Sequence, residues 1–300
     1  MKRIQNIFSD LFFLILAKTP KSILYIISDF IYIIIFFLVK YRRKIVYKNL
    51  KNSFPEKAER DIRIIMKKFY HHLCDLTLEN AALVKMSKKK VLSFVNFKNP
   101  EILKEYYKDN RNVIIVFAHY GNWELLSPLP LFTDYPFLPV YKTVNNEFLN
   151  NKFYKMRSIF GAIPIRMEDT LKKTLKYHQS NKAIVLGLIA DQRPVKKHIK
   201  YYTDFLNQET PVFLGPERIG KKINAAIIYV NINKEKKGLY NIEFSVLCDK
   251  PMETKDYEIT EMFNSKLEKI ITENPEFWLW SHDRWKHKRK EKHIYLGGNK

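Results

Sequence analysis

Cysteine is nearly missing from this chain: Cys74 and Cys248 are the only two, and they lie far apart. That excludes a disulfide framework, and no Cys/His cluster has metal-ligand spacing, so no metal is expected and a reducing, cytosol-facing setting fits. The group His71-His-Leu-Cys-Asp75 reads as a helical face with incidental histidines. Glycine is scarce too, 8 residues in 300. None falls in a Gly-x-Ser-x-Gly elbow, a P-loop or a Gly-x-Gly-x-x-Gly turn, which removes the usual supports for a serine hydrolase or a nucleotide-dependent enzyme. There is no Gly/Ser linker and no internal repeat. Acidic residues are outnumbered 53 to 31, giving a formal net charge of +22. Such an excess points to an anionic partner. Zinc-finger spacing, RNA-binding signatures and a recognition-helix pattern are all lacking, and the aromatics sit mostly in apolar runs. An anionic membrane face or an acidic protein is therefore favoured over nucleic acid.

What the chain does have begins at its N-terminus. Ser22 to Val39 is apolar but for Asp29, and Leu11 to Ala17 adds a shorter run. A spanning helix needs ~20 apolar residues, so the longer run is near the lower limit. An ionised Asp29 at mid-bilayer would cost at least ~2.5 kcal/mol, so it must be protonated, face protein, or lie in an interfacial helix. Lys40-Tyr-Arg-Arg-Lys44 follows at once, and the positive-inside rule puts the remainder of the chain in the cytoplasm. No small-residue cleavage site is present, so residues 1–40 are expected to stay as an anchor, spanning or deeply monotopic, ahead of a catalytic domain over residues 41–300.

Beyond the anchor, residues 42–89 read as helices, with Ser53-Phe-Pro-Glu56 as a capped helix start. Strand candidates follow at Val113–Ala118, Pro136–Tyr141, Ala183–Ala190, Ala225–Ile232 and Tyr240–Leu247. Helices are expected over Trp123–Phe132, Phe148–Phe160, Glu168–Gln179, Pro211–Lys222 and Tyr257–Thr272. This alternation predicts an α/β fold with a central, mostly parallel or mixed sheet flanked by helices, the last two strands forming a hairpin.

The most informative phrase is Val113-Ile-Ile-Val-Phe-Ala-His119-Tyr-Gly-Asn-Trp-Glu124. A buried strand would end at His119, at the sheet edge where open α/β folds bind ligands. Asn122 is a candidate N-cap in the loop. Glu124 would sit in the first helical turn, where it could accept a hydrogen bond from one imidazole nitrogen. The other nitrogen is left to take a proton from a substrate hydroxyl. This is the base and orienter of a hydrolase triad without an enzyme nucleophile. The same spacing also suits a strand-end histidine held by a local carboxylate for stability alone.

Asp191-Gln192-Arg193 ends a second buried strand and should open on the same edge as His119. Asp191 could hold an acceptor hydroxyl or organise nearby arginines, and Asp-Gln-Arg-Pro is equally an ordinary strand-capping turn. Arg157, in Phe153-Tyr-Lys-Met-Arg157, could bind a phosphate or an oxyanion, or belong to a solvated helix face. Arg166 is a weaker candidate for the same contact.

His119-Tyr-Gly-Asn-Trp-Glu124 resembles the His-x4-Asp/Glu box of the lipid A biosynthesis acyltransferases, the late lauroyl/myristoyl transferases, in the form found in Bacteroidetes-type bacteria. Three further segments fit in order. Val140-Tyr-Lys-Thr-Val-Asn-Asn146 followed by Arg157 is similar to the family's Val-Tyr-Arg…Asn block, with Lys142 where many members carry arginine. Gly187-Leu-Ile-Ala-Asp-Gln192 resembles its strand ending in Asp-Gln. Pro275-Glu-Phe-Trp-Leu-Trp-Ser-His-Asp-Arg-Trp-Lys286 resembles its closing block. Asn207 to Gly215 looks like the family's loop entering a helix, one wall of an acyl channel.

The resemblance implies a glycerolipid-acyltransferase-like fold and transfer of a fatty acyl chain from an acyl carrier protein thioester to a hydroxyl of a lipid A precursor. The place would be the cytoplasmic face of the inner membrane. His119 and Glu124 would be catalytic, with Asn122, Arg157, Asp191, Gln192 and Arg193 binding substrate. No bound cofactor is implied, since the donor's phosphopantetheine arrives with the substrate. Another lipid acceptor, such as a lysophospholipid, aminolipid or glycolipid, remains open, as does a non-catalytic basic membrane scaffold.

Overall fold

Residues 2–144 and 146–287 are described by a computed structural model, so Asn145 of the second motif lies outside the described residues. Helices α1 (Lys2–Lys18) and α2 (Lys21–Ile33) come first, α2 continuing through a π-helical turn at Ile34–Val39. Then follow α3 (Arg43–Ser53), α4 (Glu59–Leu83) and α5 (Lys88–Leu92). The alternating part runs β1 (Val95–Lys98), α6 (Ile102–Lys108), β2 (Val113–Phe117), β3 (Phe137–Tyr141), α7 (Glu147–Ser158), β4 (Ile165–Arg166), α8 (Thr170–Gln179) and β5 (Val185–Ile189). A small hairpin of β6 (Tyr202–Phe205) and β7 (Gln208–Pro211) leads to α9 (Gly215–Ile223), β8 (Ala226–Lys236), β9 (Leu239–Cys248) and α10 (Glu258–Glu273).

Seven strands form one sheet in the order β1-β9-β8-β2-β5-β3-β4. Strands β8, β2, β5, β3 and β4 are parallel, while β9 turns back antiparallel on β8 and β1 runs parallel to β9. The expected α/β class, the mostly parallel sheet and the closing hairpin are therefore all present. Strand β2 sits at the centre with all five residues buried, because both its faces are covered. Ile114 and Val116 pack into a core shared with α3, α4, α9 and α10, and Val113, Ile115 and Phe117 into a second core on the opposite face. The continuous apolar run is what such a doubly covered strand requires.

The structure departs from the sequence reading at several places. The single helix expected over Trp123–Phe132 is two short 3₁₀ turns, Trp123–Leu126 and Leu129–Leu131, because Pro128 and Pro130 cannot donate to an α-helical ladder. Ser53 closes α3 rather than opening a helix, and α4 begins at Glu59 with Glu59 and Asp61 in the first turn, where acids suit the positive end of the dipole. Pro211 ends β7, and α9 starts only at Gly215 with Pro216 in its first turn. Strands β1, β4, β6 and β7 were not expected. They are short, and their sequences carry too little apolar periodicity to stand out from loop.

Lys21–Val39 is one helix long and apolar enough to cross a membrane, with a mean hydropathy of 2.4. It does not stand apart from the rest of the chain. Tyr25 and Ser28 donate hydrogen bonds to Glu79 and Asp75 of α4, at 2.6 and 2.7 Å.

Candidate active site

Strands β2 and β5 are adjacent and in register, Phe117 lying beside Ile189. Each continues two residues past that pair, one to His119 and the other to Asp191. Equal overshoot on neighbouring parallel strands brings the two side chains together at the carboxyl edge of the sheet. His119 Nδ1 and Asp191 Oδ1 are 2.8 Å apart. The aspartate is 3 % exposed and also accepts from Trp278 Nε1 at 2.8 Å. With Nδ1 protonated towards the carboxylate, Nε2 bears the lone pair and accepts from the Gln192 amide at 3.3 Å. Burial alone would raise the Asp191 carboxyl. The charge of His119 and the hydrogen bonds from His119 and Trp278 outweigh it and hold the group below the ordinary carboxylate range.

The carboxylate on the imidazole is thus Asp191, and the expectation that Glu124 orients His119 is corrected by the geometry. Glu124 lies on the first 3₁₀ turn and faces α7, where Arg157 donates to it from both Nε, at 2.9 Å to Oε2, and Nη2 to Oε1. Such a two-pronged pair fixes the plane of the guanidinium. Burial would weaken the charge on Arg157, but Glu124 outweighs it and keeps the guanidinium firmly protonated. Trp123, the residue before Glu124, meets the His119 ring edge-on with centroids 4.7 Å apart. It separates the His119–Asp191 pair from the Glu124–Arg157 pair along the chain.

The loop joining these pairs is held by an unusual backbone and a rigid wall. Gly121 has φ of 62°, and a Cβ there would lie 2.3 Å from the Ile232 carbonyl oxygen, so no other residue fits without moving β8. The Gly121 N–H donates to the Phe277 carbonyl at 3.1 Å, and the Leu279 N–H to the His119 carbonyl at 3.1 Å. The closing aromatic block therefore pairs with the His119 loop like a strand. Trp278 and Trp280 are buried in it, at 3 % and 0 % exposure, which fits packing across the domain rather than contact with lipid headgroups.

The remaining candidates separate. Gln192 is half-buried at the rim, against His119. Arg193 is half-buried, and its Nη1 has no hydrogen-bond partner among the described residues. Arg284 is buried, donates to the Pro211 carbonyl at 2.7 Å, and is pushed down to about 10, first by burial, with Asp191 opposing and Arg193 adding to the shift. The Asp191 and Arg284 charges thus act on one another without a direct hydrogen bond. Asn122 is different: its side chain is fully buried, makes no cap, and donates to Glu79 at 2.8 Å, so it braces the loop from beneath instead of meeting a substrate. Arg166 is exposed and paired with Asp169 at 2.8 Å. Val212 and Phe213, in the loop before α9, line a narrow cleft together with Val116, Ala190 and Phe263 and with the polar Glu217, Thr260 and Asn264.

Cys74 and Cys248 are buried free thiols, and burial pushes Cys74 up to about 12, so neither is a ready thiolate. Among the described residues, no group of His, Cys, Asp and Glu is arranged to hold a metal ion. Two participants were missed in the sequence. Glu79, fully buried beneath the loop, looks like any acid of an amphipathic helix. Trp278 lay in a recognised block, but its partner was not readable there. The arrangement can take a proton from a bound hydroxyl at Nε2, stabilise the resulting imidazolium by the Asp191 carboxylate, and present the Arg157 guanidinium fixed by Glu124.

A sequence profile of the family described as bacterial lipid A biosynthesis acyltransferase matches residues 5–287. The chain is also 23% identical, over 237 residues, to the protein named lipid A biosynthesis acyltransferase 2 of Shigella flexneri, covering 77% of this chain and 74% of that relative.

Proposed function

The chain belongs to the bacterial lipid A biosynthesis acyltransferases, and from that premise we propose that it is a membrane-bound O-acyltransferase moving a fatty acyl chain from an acyl carrier protein thioester to a hydroxyl of a lipid A precursor. The observation that carries the chemistry is the His119–Asp191 hydrogen bond of 2.8 Å, which leaves Nε2 as the basic nitrogen. In this reading the acceptor hydroxyl displaces the Gln192 amide from Nε2 and gives up its proton there. Its oxygen forms a bond to the thioester carbonyl carbon, and the carbonyl electrons move onto oxygen. As that oxyanion collapses, the C–S bond breaks and the departing thiolate takes the proton back from His119. Asp191 stabilises the imidazolium in between. Arg157, its plane set by Glu124, supplies positive charge for the oxyanion or for a substrate phosphate.

The reaction takes place at the cytoplasmic face of the inner membrane. A net charge of +22 suits both an acidic carrier protein and an anionic lipid surface. Mass spectrometry of lipids from cells with and without the protein tests the reading. The expected result is a lipid A species heavier by one acyl chain only where the protein is present. A change confined to phospholipids or aminolipids would reassign the acceptor, and unchanged lipids would contradict the activity.

A further inference from the structure

Tyr25, Ser28, Asp29 and Tyr32 fall on one stripe of α2, spaced as residues that share a helix face. Every one of them is engaged with the domain. Besides the Tyr25–Glu79 and Ser28–Asp75 bonds, Lys237 reaches Asp29 at 2.9 Å, and the Tyr32 ring stacks on His71 with centroids 3.6 Å apart. At the start of the stripe Lys21 donates to the carbonyls of Ser93 and Gly238, at 2.7 and 2.8 Å. Helix α1 is clamped in the same way, its Asp10 accepting from Lys85 at 3.0 Å and from Lys152 of α7 at 2.5 Å. The polar stripe of α2, and Asp10 of α1, thus face the protein.

Among the described residues, the exposed sides of both helices are mostly apolar, with Ser22 and Lys18 as the polar exceptions. Leu11, Phe12 and Ile15 on α1, and Ile26, Phe30 and Phe37 on the α2 helix, are all at least half exposed. Only 28% of the apolar window within Lys21–Val39 is buried, so this is not a core helix. Exposed basic residues flank the apolar surface: Lys18 at the end of α1, and Lys40, Arg42 and Lys44 after α2. A helix with one apolar face, a polar face and cationic ends is built for the boundary between headgroups and acyl chains.

We propose that α1 and α2 lie in the plane of a single membrane leaflet as a monotopic platform, their outer stripes among the acyl chains and the sheet held above them, and that α2 does not cross the bilayer. This deepens the membrane-bound reading given above and rests on it. Crossing would need α2 to peel from α4. Glu79 and Asp75, at 0 % and 1 % exposure, would lose hydrogen-bond partners, and Asp29 would leave Lys237 for the middle of the hydrocarbon. In the docked position Asp29 keeps its cation, and the apolar stripe has a solvent of its own kind. The platform also adjoins the site: Glu79 receives Tyr25 from α2 and Asn122 from the catalytic loop, and α1 is tied to the helix that carries Arg157.

The test uses the full chain reconstituted in vesicles of phosphatidylglycerol and phosphatidylethanolamine. Single nitroxide labels are placed at Ile23→Cys, Phe30→Cys and Phe37→Cys, with Lys48→Cys as a water-exposed reference. Both native cysteines are buried, and labelling of the unsubstituted chain checks that they stay silent. Depth is read from collisions with oxygen against a water-soluble nickel complex. An in-plane platform puts all three positions at one shallow depth. A spanning helix rises ~1.5 Å per residue and puts Phe30 about 10 Å deeper than either end, which overturns the proposal but leaves membrane binding intact. Labels as wet as the Lys48 reference would overturn the platform and the membrane-bound reading together.

Discussion

Replacing Asp191 with asparagine removes one charge from a position that is 3 % exposed, without removing volume. Two losses follow from the geometry. The imidazolium formed during proton transfer loses a carboxylate whose oxygen lies 2.8 Å from Nδ1. Unit charges about 4 Å apart interact by ~4 kcal/mol at an effective dielectric of 20, which corresponds to about 10³ in rate at 1.36 kcal/mol per tenfold. The amide can also turn its NH₂ towards Nδ1 and force the proton onto Nε2, abolishing the base. The same change in a serine-protease triad costs about 10⁴. Asp191→Asn should therefore lower kcat by about 10³–10⁴ with little change in KM, because the carboxylate lies beneath the ring and away from the open edge. Glu124→Gln is the control. It leaves the His119–Asp191 bond in place and disturbs Arg157, so it should lose less in kcat. Thiol release from an acyl carrier protein thioester, followed for both folded variants, gives the comparison. An Asp191→Asn enzyme within tenfold of the native rate, beside a Glu124→Gln enzyme that has lost more, would refute the assignment of Asp191 and restore Glu124 as the orienter.

Three further outcomes follow from the same geometry. Gly121→Ala places a Cβ 2.3 Å from the Ile232 carbonyl oxygen at a positive φ; it should cost more than ~1 kcal/mol in denaturant unfolding and lower activity by displacing His119, and an unchanged stability would show that the loop is not so confined. His72 is buried and pushed down to about 3, first by burial and then by the nearby Lys234 charge. A histidine kept neutral by folding gives its full stability above its unfolded pKa of ~6.5 and loses it as the pH falls towards the folded value, so about 2 kcal/mol should vanish between pH 7 and pH 5. Urea unfolding of His72→Gln at both pH values should show that slope reduced, whatever the substitution costs at pH 7; an identical slope would mean that His72 is not buried neutral. Finally, transfer should be direct: among the described residues the His119 ring is hydrogen-bonded to Asp191 and Gln192 and to no hydroxyl or thiol, and Cys74 is buried and pushed up to about 12. Intact-mass measurement of the protein after incubation with acyl donor alone should show no stoichiometric acyl adduct, and a kinetically competent adduct would require an enzyme nucleophile.

Much of this architecture can be read from apolar runs. Val113–Phe117 and Val185–Ile189 announce themselves as doubly buried strands, and their residue types fix His119 and Asp191 at the same height once the strands are known to be neighbours. Adjacency is the missing quantity. Order in a parallel sheet is set by long-range packing, so sequence proximity favoured Glu124 over a carboxylate seventy-two residues away. The proline-broken turn between Asn122 and Phe132 then swings Glu124 towards Arg157, a partner visible only once α7 is in place. Asn122 was legible as a loop residue but not as a buried one, because the acid it binds, Glu79, belongs to a helix far upstream. The apolar N-terminus was legible at once. Whether it departs from the domain or lies on it depends on Tyr25, Ser28 and Asp29 finding partners in α4 and the β8–β9 hairpin, which no local pattern encodes.

The central claim is that His119 is the base for acyl transfer to a lipid hydroxyl, and purified enzyme answers it directly. Native protein and folded His119→Ala protein are given an acyl carrier protein thioester and a hydroxyacylated lipid A precursor, and the lipid product is weighed over time. The account predicts a product one acyl chain heavier from the native enzyme, and a rate lower by ~10²–10⁴ from His119→Ala, the usual worth of a positioned general base. Acylation by His119→Ala at the native rate would contradict it.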